Sequence, residues 1–504
     1  MRGLLVAGTA SDVGKSVVVA GLCRWLARRG VKVAPFKAQN MALNSAVTPD
    51  GAEIGRAQVA QAAAARVTPE AAMNPILLKP SSEQTSQVVV MGQAVAELDA
   101  RAYQELKPWL RTVVLEALAS LADRFEVVIC EGAGSPAEIN LRAEDLVNMG
   151  LARAVGLPVL VVGDIDRGGV FAGLFGTLAL LDRADQALVA GFLVNRFRGD
   201  PAILAPGLEQ LGRLTGRPVL GVLPWRPGLR LDAEDSVELQ TPADGPALPR
   251  GADVLRVAVV RLPWLSNFTD FDPLAAEPGV SVRFTIAPAE VLGADLAVVP
   301  GTKATVADLA WLRRVGLDQA LADRAARGLP TLGICGGYQL IGQRIVDRVE
   351  SRAGEVTGLS LLPVETVFEP TKVLANPTGT APWLGGVAAC GYEIHHGRTR
   401  ALGGEPVLDS HDGDRGCRRD AVVGVAWHGI FERDDFRRAF LGWVAAERGL
   451  DWVAGERPFV AVREQRLDVL GDLIADHTDT AALECLLDAG APPGLPFVPP
   501  GPPA

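Results

Sequence analysis

The stretch Leu4-Leu5-Val6-Ala7-Gly8-Thr9-Ala10-Ser11-Asp12-Val13-Gly14-Lys15-Ser16 decides the fold of the first half of this chain. Four apolar residues form a short buried strand, a glycine-bearing loop follows, and Val17 to Arg29 reads as a helix with apolar positions at Val18, Leu22, Trp25 and Leu26. Gly30 is placed to stop that helix. A strand that feeds such a loop and opens a helix gathers backbone N–H groups and a helix N-terminus around one anion. Lys15 is then placed to neutralise phosphates and the Ser16 hydroxyl to hold Mg²⁺, with Gly8, Thr9, Asp12, Val13 and Gly14 completing the expected ATP loop.

Outward from this loop, short β-rich runs recur at 31–36, 127–130, 158–163, 191–194 and 218–223. Their alternation with helical segments predicts a parallel sheet covered on both faces. Ligands of such sheets gather at the carboxyl ends of the strands. Glu131 stands there in Glu-Gly-Ala-Gly, and Asp164 and Asp166 stand there in Gly-Asp-Ile-Asp-Arg-Gly-Gly. Glu131 and Asp164 are expected metal carboxylates, although acids in these places also cap turns. Asn195 is placed either to read an adenine edge or to make a turn.

The second half carries a different signature. Thr331-Leu332-Gly333-Ile334 reads as a strand that ends on Cys335, with Gly336, Gly337 and a helix-like Tyr338-Gln339-Leu340-Ile341 behind it. A nucleophile on so sharp a turn needs small neighbours, and the helix N-terminus lowers the thiol pKa. The N–H groups of Gly336 and of Gly301, which follows another strand, are candidate oxyanion donors. Of five histidines, His428 ends the β-rich run Val422 to Trp427 and emerges on the same face as Cys335; His395 and His396 are its rivals for the base.

With 504 residues, two or three domains are expected. The predicted organisation is an ATP-dependent domain over 1–231, a Pro-, Gly- and acid-rich linker over 232–252, and a second α/β domain over 253–449. A helical appendage over 450–490, with a helix at 463–474, and a disordered Pro-rich tail over 491–504 complete the chain. A net charge of −10 disfavours nucleic acid or an anionic membrane as main partner. Six scattered cysteines without a CxxC pair fit a reduced cytoplasmic compartment. Met1 to Ala7 is too short for a signal peptide, and no apolar run is long enough to span a bilayer.

Several segments are more specific than either loop: Lys37-Ala38-Gln39-Asn40-Met41-Ala42-Leu43-Asn44, Gly55-Arg56-Ala57-Gln58, Asn74-Pro75-Ile76-Leu77-Leu78-Lys79-Pro80, the run 131–141, and Asp164 to Phe171. On these residues the chain, over roughly 1–485, resembles the cobyric acid synthases of cobalamin biosynthesis. The phosphate loop, one residue longer than usual, is similar to that of dethiobiotin-synthetase-like ligases, and the second half to class I glutamine amidotransferases. The resemblance implies that ATP drives amidation of the b, d, e and g carboxylates of (adenosyl)cobyrinic acid a,c-diamide. Ammonia would come from glutamine through a Cys335 thioester, with His428 as general base. Lys37, Asn40, Arg142, Asp166, Arg167 and Arg196 are candidates to meet the corrinoid. Many glutaminases carry a Glu two residues after the catalytic His; here Ile430 stands there, and a Cys/His dyad is expected. The alternatives are a sister amidotransferase, acting on another corrinoid or on a cell-wall precursor, and a ParA-like ATPase switch, against which the cysteine elbow speaks.

Overall fold

The computed structural model describes residues 1–82, 84–226 and 248–499. The first domain is built on a six-stranded sheet in the order Val219–Pro224, Val189–Phe197, Val159–Asp164, Gly3–Gly8, Val127–Glu131, Val33–Phe36. All five pairings are parallel. Gly3–Gly8, Val127–Glu131 and Val159–Asp164 are buried at every position, which is why they read as unbroken apolar runs. Their register sets Val6 beside Glu131 and Gly8 beside Val162, so the phosphate loop and Glu131 leave the sheet at one edge.

Separate apolar layers cover the two faces of this sheet. One layer contains the helix Lys15–Arg28 together with Phe459–His477 and Thr480–Ala489. The expected appendage is therefore a covering layer of the first domain, although it follows the second in sequence. Gly21 permits the close helix contact: a Cβ there would lie 2.8 Å from both Ile474 Cγ1 and the Leu470 carbonyl. Arg24, 1% exposed, ties the two helices through Glu464 at 2.5 Å and Asp468 at 2.8 Å.

The tail departs from the sequence expectation. Residues 491–499 lie against the first domain, with Val498 buried, its N–H donating to Gln186 Oε1 and its carbonyl accepting from Gln186 Nε2. Pro-rich composition removes donors and fixes φ, which lowers the entropy lost on docking. The remainder of the expected tail, from residue 500, and residues 227–247, which include 232–247 of the expected linker, lie outside the described residues. At the end of the linker, Ala252 N–H donates to the Asp451 carboxylate.

Between the strands Val33–Phe36 and Val127–Glu131 the chain makes a smaller sheet, ordered Gln39–Met41, Ile76–Pro80, Thr85–Val90, Gln93–Asp99. It also makes a hairpin, Ser45–Val47 against Glu53–Gly55. The second domain has a six-stranded sheet in the order Val280–Thr285, Leu255–Val260, Leu296–Val299, Thr331–Ile334, Val422–Val425, Cys417–Arg419. Its first five strands are parallel and the last is antiparallel. An added sheet of Gly354–Thr357, Arg344–Asp347, Val364–Ala375 and Glu393–Ala401 is inserted ahead of Val422–Val425. Thr331–Ile334 and Val422–Val425 are neighbours, so Cys335 and His428 leave adjacent strands at the same end.

Candidate active sites

The phosphate loop is shaped by backbone conformations that few residues adopt. Asp12 has φ +64° and Gly14 φ +94°, and a Cβ on Gly14 would lie 2.1 Å from Asn195 Nδ2. Asn195 is the brace of this loop, donating to the Val13 carbonyl at 2.9 Å. Its amide nitrogen is thus engaged by protein, which favours the turn-forming alternative over the adenine one, although the residue does border the adjoining cavity. Thr9 N–H is spent on the Val162 carbonyl, and the Val13 carbonyl on Asn195. Asp12, Gly14, Lys15 and Ser16 face a cavity of about 1390 Å³. Gly8, Thr9 and Val13 flank these residues in the same loop, Thr9 by the hydrogen bond that ties it to the sheet.

Lys15 Nζ donates to the carbonyls of Ala10 at 2.9 Å and Gly134 at 3.2 Å, which holds it across the loop mouth. Ser16 Oγ donates to Glu131 Oε1 at 2.8 Å. Glu131 is fully buried, and burial by itself raises its pKa. The charge of Lys37, at 2.9 Å, and hydrogen bonds from Lys37, Gln61 and Ser16 overcome that and hold the carboxyl below its ordinary value. An ionised carboxylate beside a hydroxyl is a hard oxygen pair that fits Mg²⁺, with Lys37 the counter-charge it would displace or share.

Asp164 is placed differently from the metal-ligand expectation. Its carboxylate accepts from Arg196 at 3.0 Å and from the Asp166 N–H at 2.9 Å, and it does not line the cavity. Arg142 does line it, but Asp185, 1% exposed, binds its guanidinium in a fork at 2.5 and 2.6 Å. Such a bidentate pair is among the stronger charge-assisted contacts. Lys37, Asn40, Asp166 and Arg167 also border the cavity. Arg167, 59% exposed, pairs with Asp12 at 3.0 Å, and Asp166 with Arg198 at 3.1 Å; both are solvated enough to exchange partners.

The second site is built around a strained residue. Cys335 has φ +49° and ψ −108°, outside the ordinary helical and extended regions, between its strand and the short helix Gly336–Leu340. The glycines behind it are sterically required: a Cβ on Gly337 would lie 1.8 Å from the Val299 carbonyl, and one on Gly336 2.8 Å from Thr302 N. Burial raises the thiol pKa, but the charge and hydrogen bond of His428, the charge of His395 and the Gly336 N–H pull it below its usual value. Gly336 thus reaches the sulfur through its backbone. Gly301 also lies close to the triad, since a Cβ there would meet His428 Cε1 at 2.7 Å.

His428 is 1% exposed, hydrogen-bonded to Cys335, and stacked at 5.5 Å against Tyr392. Its Nδ1 lies 2.6 Å from Asp270 Oδ2, while Asp270 Oδ1 accepts from Gly429 N–H at 2.8 Å. Burial lowers the imidazole pKa, and Asp270 and Cys335 more than reverse this, pushing it up to about 10. The expected dyad is therefore a triad whose acid comes from the turn Phe268–Phe271, near the domain's start. Ile430 does fail to supply a carboxylate, as expected, yet the imidazole has one. His396 contacts Gln87 and the Glu369 carbonyl; His395 stands 3.7 Å from Glu393 and borders the same small cavity as Cys335. Neither holds the Cys335 thiol as His428 does. Among the described residues no helix is long and apolar enough to cross a membrane, and none of their cysteines is disulfide-bonded.

Comparison with known proteins follows the same division. Residues 4–238 match the CobQ/CobB/MinD/ParA nucleotide binding domain, and residues 256–436 the CobB/CobQ-like glutamine amidotransferase domain. The cobyric acid synthase of Frankia casuarinae is 59% identical, covering 99% of this chain and 99% of that protein. That of Streptomyces coelicolor is 59% identical over 100% of this chain and 99% of its own, and that of Rhodococcus jostii 58% over 98% and 97%. Among solved structures, a glutamine amidotransferase aligns with 38% of this chain and 99% of its own at 18% identity and a TM-score of 0.32, too distant to carry an argument. With relatives this similar aligned end to end across both sites, the chain belongs to the cobyric acid synthase family.

Proposed function

We propose that this chain is an ATP- and glutamine-dependent amide synthetase that converts the b, d, e and g carboxylates of (adenosyl)cobyrinic acid a,c-diamide to amides. The observation that carries this reading is the presence, in one chain, of a Cys335–His428–Asp270 triad and a separate cavity where Lys15, Ser16 and ionised Glu131 meet. At the first, the Cys335 thiolate attacks the glutamine amide carbon, His428 delivers the proton that lets ammonia leave, and Gly336 N–H steadies the oxyanion. Water then frees glutamate from the thioester with His428 as base.

At the second, Lys15 and the N–H groups from Gly14 onward receive the nucleotide phosphates, and Ser16 with Glu131 holds Mg²⁺. The ion, when bound, neutralises charge on the phosphates during transfer to the substrate carboxylate. Ammonia then displaces phosphate. Lys37, Asn40 and Arg167 are the side chains on which we place the corrinoid's acids, and the cavity, larger than the usual small-molecule pocket of about 300–1,000 Å³, suits a macrocycle next to a nucleotide. The all-thiol cysteine set fits a reduced cytoplasmic setting.

The test is incubation with cobyrinic acid a,c-diamide, Mg·ATP and glutamine, followed by mass spectrometry of the corrinoid. Successive carboxyl-to-amide conversions are expected. Cys335→Ala should lose them with glutamine and keep them with ammonium salts. A wild-type chain that leaves the corrinoid unchanged with either nitrogen source overturns the function; a Cys335→Ala chain that still uses glutamine overturns the assignment of the nucleophile.

A further inference from the structure

The small cavity beside Cys335 is bordered by a second imidazole that the triad does not use. His395 is 9% exposed, and its Nδ1 and Nε2 are both buried without a hydrogen-bond partner among the described residues. A buried ring that leaves its polar atoms unspent is costly unless something in the cavity meets them. Behind it stands Glu393, whose Oε2 lies 3.7 Å from His395 Nε2 and whose Oε1 accepts from the Asp414 N–H at 2.7 Å. The two residues are two apart in the strand Glu393–Ala401, so their side chains leave it on one face. Backbone hydrogen bonds fix that strand to the triad. Tyr392, just ahead of it, exchanges N–H to carbonyl bonds with His428, at 2.9 Å in each direction. Cys335 Sγ lies 4.0 Å from the carbonyl of Ile394, the residue between Glu393 and His395. One thiol thus shares its cavity with two imidazoles, each with its own carboxylate: His428 with Asp270, and His395 with Glu393.

The other charges on this cavity are already matched. Lys79 and Lys372 share Glu53, and Lys303 pairs with Glu350. His396 engages Gln87 and the Glu369 carbonyl through its two ring nitrogens, and burial lowers its pKa, so it stays neutral. Burial lowers the pKa of His395 as well, but Glu393, Cys335 and Asp414 more than reverse this. The strand therefore presents a charged ring to the cavity that holds the thiol.

We infer that His395, backed by Glu393, is a second cation for the Cys335 thiolate, acting through space where His428 acts by a hydrogen bond. It is a positioning residue for the nucleophile. It takes no proton from Cys335 and forms no bond to glutamine; it favours the thiolate over the thiol. Glu393 has its effect through the ring, by keeping the imidazolium as its counter-ion. The inference rests on the amidotransferase reading above for its activity readout, while the ionisation of Cys335 is measured without glutamine.

Alkylation by iodoacetamide is followed against pH on the peptide that carries Cys335, and glutamine hydrolysis is followed over the same range. His395→Gln keeps a polar side chain of similar reach and removes the charge. Its alkylation midpoint should rise, since a lost cation disfavours the thiolate. On the acid limb kcat/KM should fall roughly tenfold for each pH unit of displacement, and at high pH it should return to wild type. Glu393→Gln keeps an acceptor for the Asp414 N–H, and the sign of its effect discriminates. If Glu393 acted on the thiol only as a negative charge, its removal would lower the midpoint; if it holds His395 charged, its removal raises it. A rise is expected, and it should vanish in the His395→Gln background. The inference is overturned by an unmoved midpoint in His395→Gln, by a lowered or unmoved midpoint in Glu393→Gln, or by a loss of hydrolysis in His395→Gln that is equal at every pH, the mark of a residue that only packs. Should His395→Gln not fold, Glu393→Gln decides by its sign. Absence of glutamine hydrolysis in the wild type would instead sink the amidotransferase reading, and the alkylation profiles still decide the role of His395.

Discussion

Asp270→Asn isolates what the unexpected third member of the triad does. Both carboxylate oxygens are committed, one to His428 Nδ1 at 2.6 Å and one to Gly429 N–H at 2.8 Å, and the side chain is 4% exposed. Asparagine preserves the shape and accepts from Gly429 N–H, which turns its amide NH₂ toward the ring. Nδ1 must then act as acceptor, so the ring proton moves to Nε2, the nitrogen that has to take the proton of Cys335. The imidazolium also loses its buried counter-charge. A hydrogen bond to a charged partner contributes about 1.5–3 kcal/mol, so kcat for glutamine hydrolysis should fall roughly 10- to 150-fold. Because Asp270 raises the pKa of His428, and charged His428 lowers that of Cys335, the substitution also moves the thiol upward. Alkylation of Cys335 by iodoacetamide as a function of pH should show its midpoint displaced toward that of an ordinary cysteine, about 8.5. Ammonia-dependent amidation, carried by the other site, should be unaffected. A variant within about threefold of wild type in kcat, with an unshifted alkylation midpoint, would refute the triad.

Two further outcomes concern stability. Glu432 lies between Arg56 of the first domain and Arg463 at 2.9 Å; burial raises its pKa, but the two guanidinium charges bring it down to about 2. A depressed carboxylate stabilises the fold fully above its unfolded value, and that contribution is lost as pH falls from about 4.3 toward about 2. Allowing for its 29% exposure, the effect is about 1–3 kcal/mol, so urea titrations should show Glu432→Gln with a flatter pH dependence than wild type across that window. Truncation after Gly490 removes Val498 from the core together with the Arg217–Pro496 contact, and should lower stability by about 1.5–3 kcal/mol, read as a lower urea midpoint with both activities retained under native conditions.

The sequence made the two central sheets legible because their strands are buried on both faces and their loops carry glycines for steric reasons. It placed every strand of the first sheet within a few residues, and brought His428 to the same face as Cys335; that their strands are neighbours is added by the structure. What it missed shares one cause, long separation along the chain. Asp270 lies 158 residues before His428, in the run Asn267-Phe268-Thr269-Asp270-Phe271, outside every motif singled out in the sequence. The only local signal was an acid flanked by aromatic residues just beyond the first strand of the domain. The partners of Arg142 and Asp164 were hidden for the same reason: a charge near a strand end resembles a ligand until its partner is seen, and Asp185 and Arg196 stand on later segments. The tail was misread because composition describes what a segment does alone, while Val498 is held by a surface that includes Gln186 and Arg217.

The segment Asn74 to Pro80 was specific enough to mark the family yet offers little chemistry beyond one lysine. The structure explains it by alternation. In the strand Ile76–Pro80, Leu78 and Pro80 border the large cavity while Lys79, between them, turns to the small cavity that holds Cys335. A β-strand sends successive side chains to opposite faces, so this one strand serves as a wall to both reaction centres, and the loop Pro263-Trp264 with Ser266-Asn267 divides in the same way. Lys79 is neutralised by Glu53 rather than left facing the thiol site as an unpaired charge. A residue there needs to fill two environments at once, apolar on one side and ion-paired on the other. That constraint falls on the order of residue types along the strand, and it makes the segment recognisable without giving any of its side chains a step in the reaction.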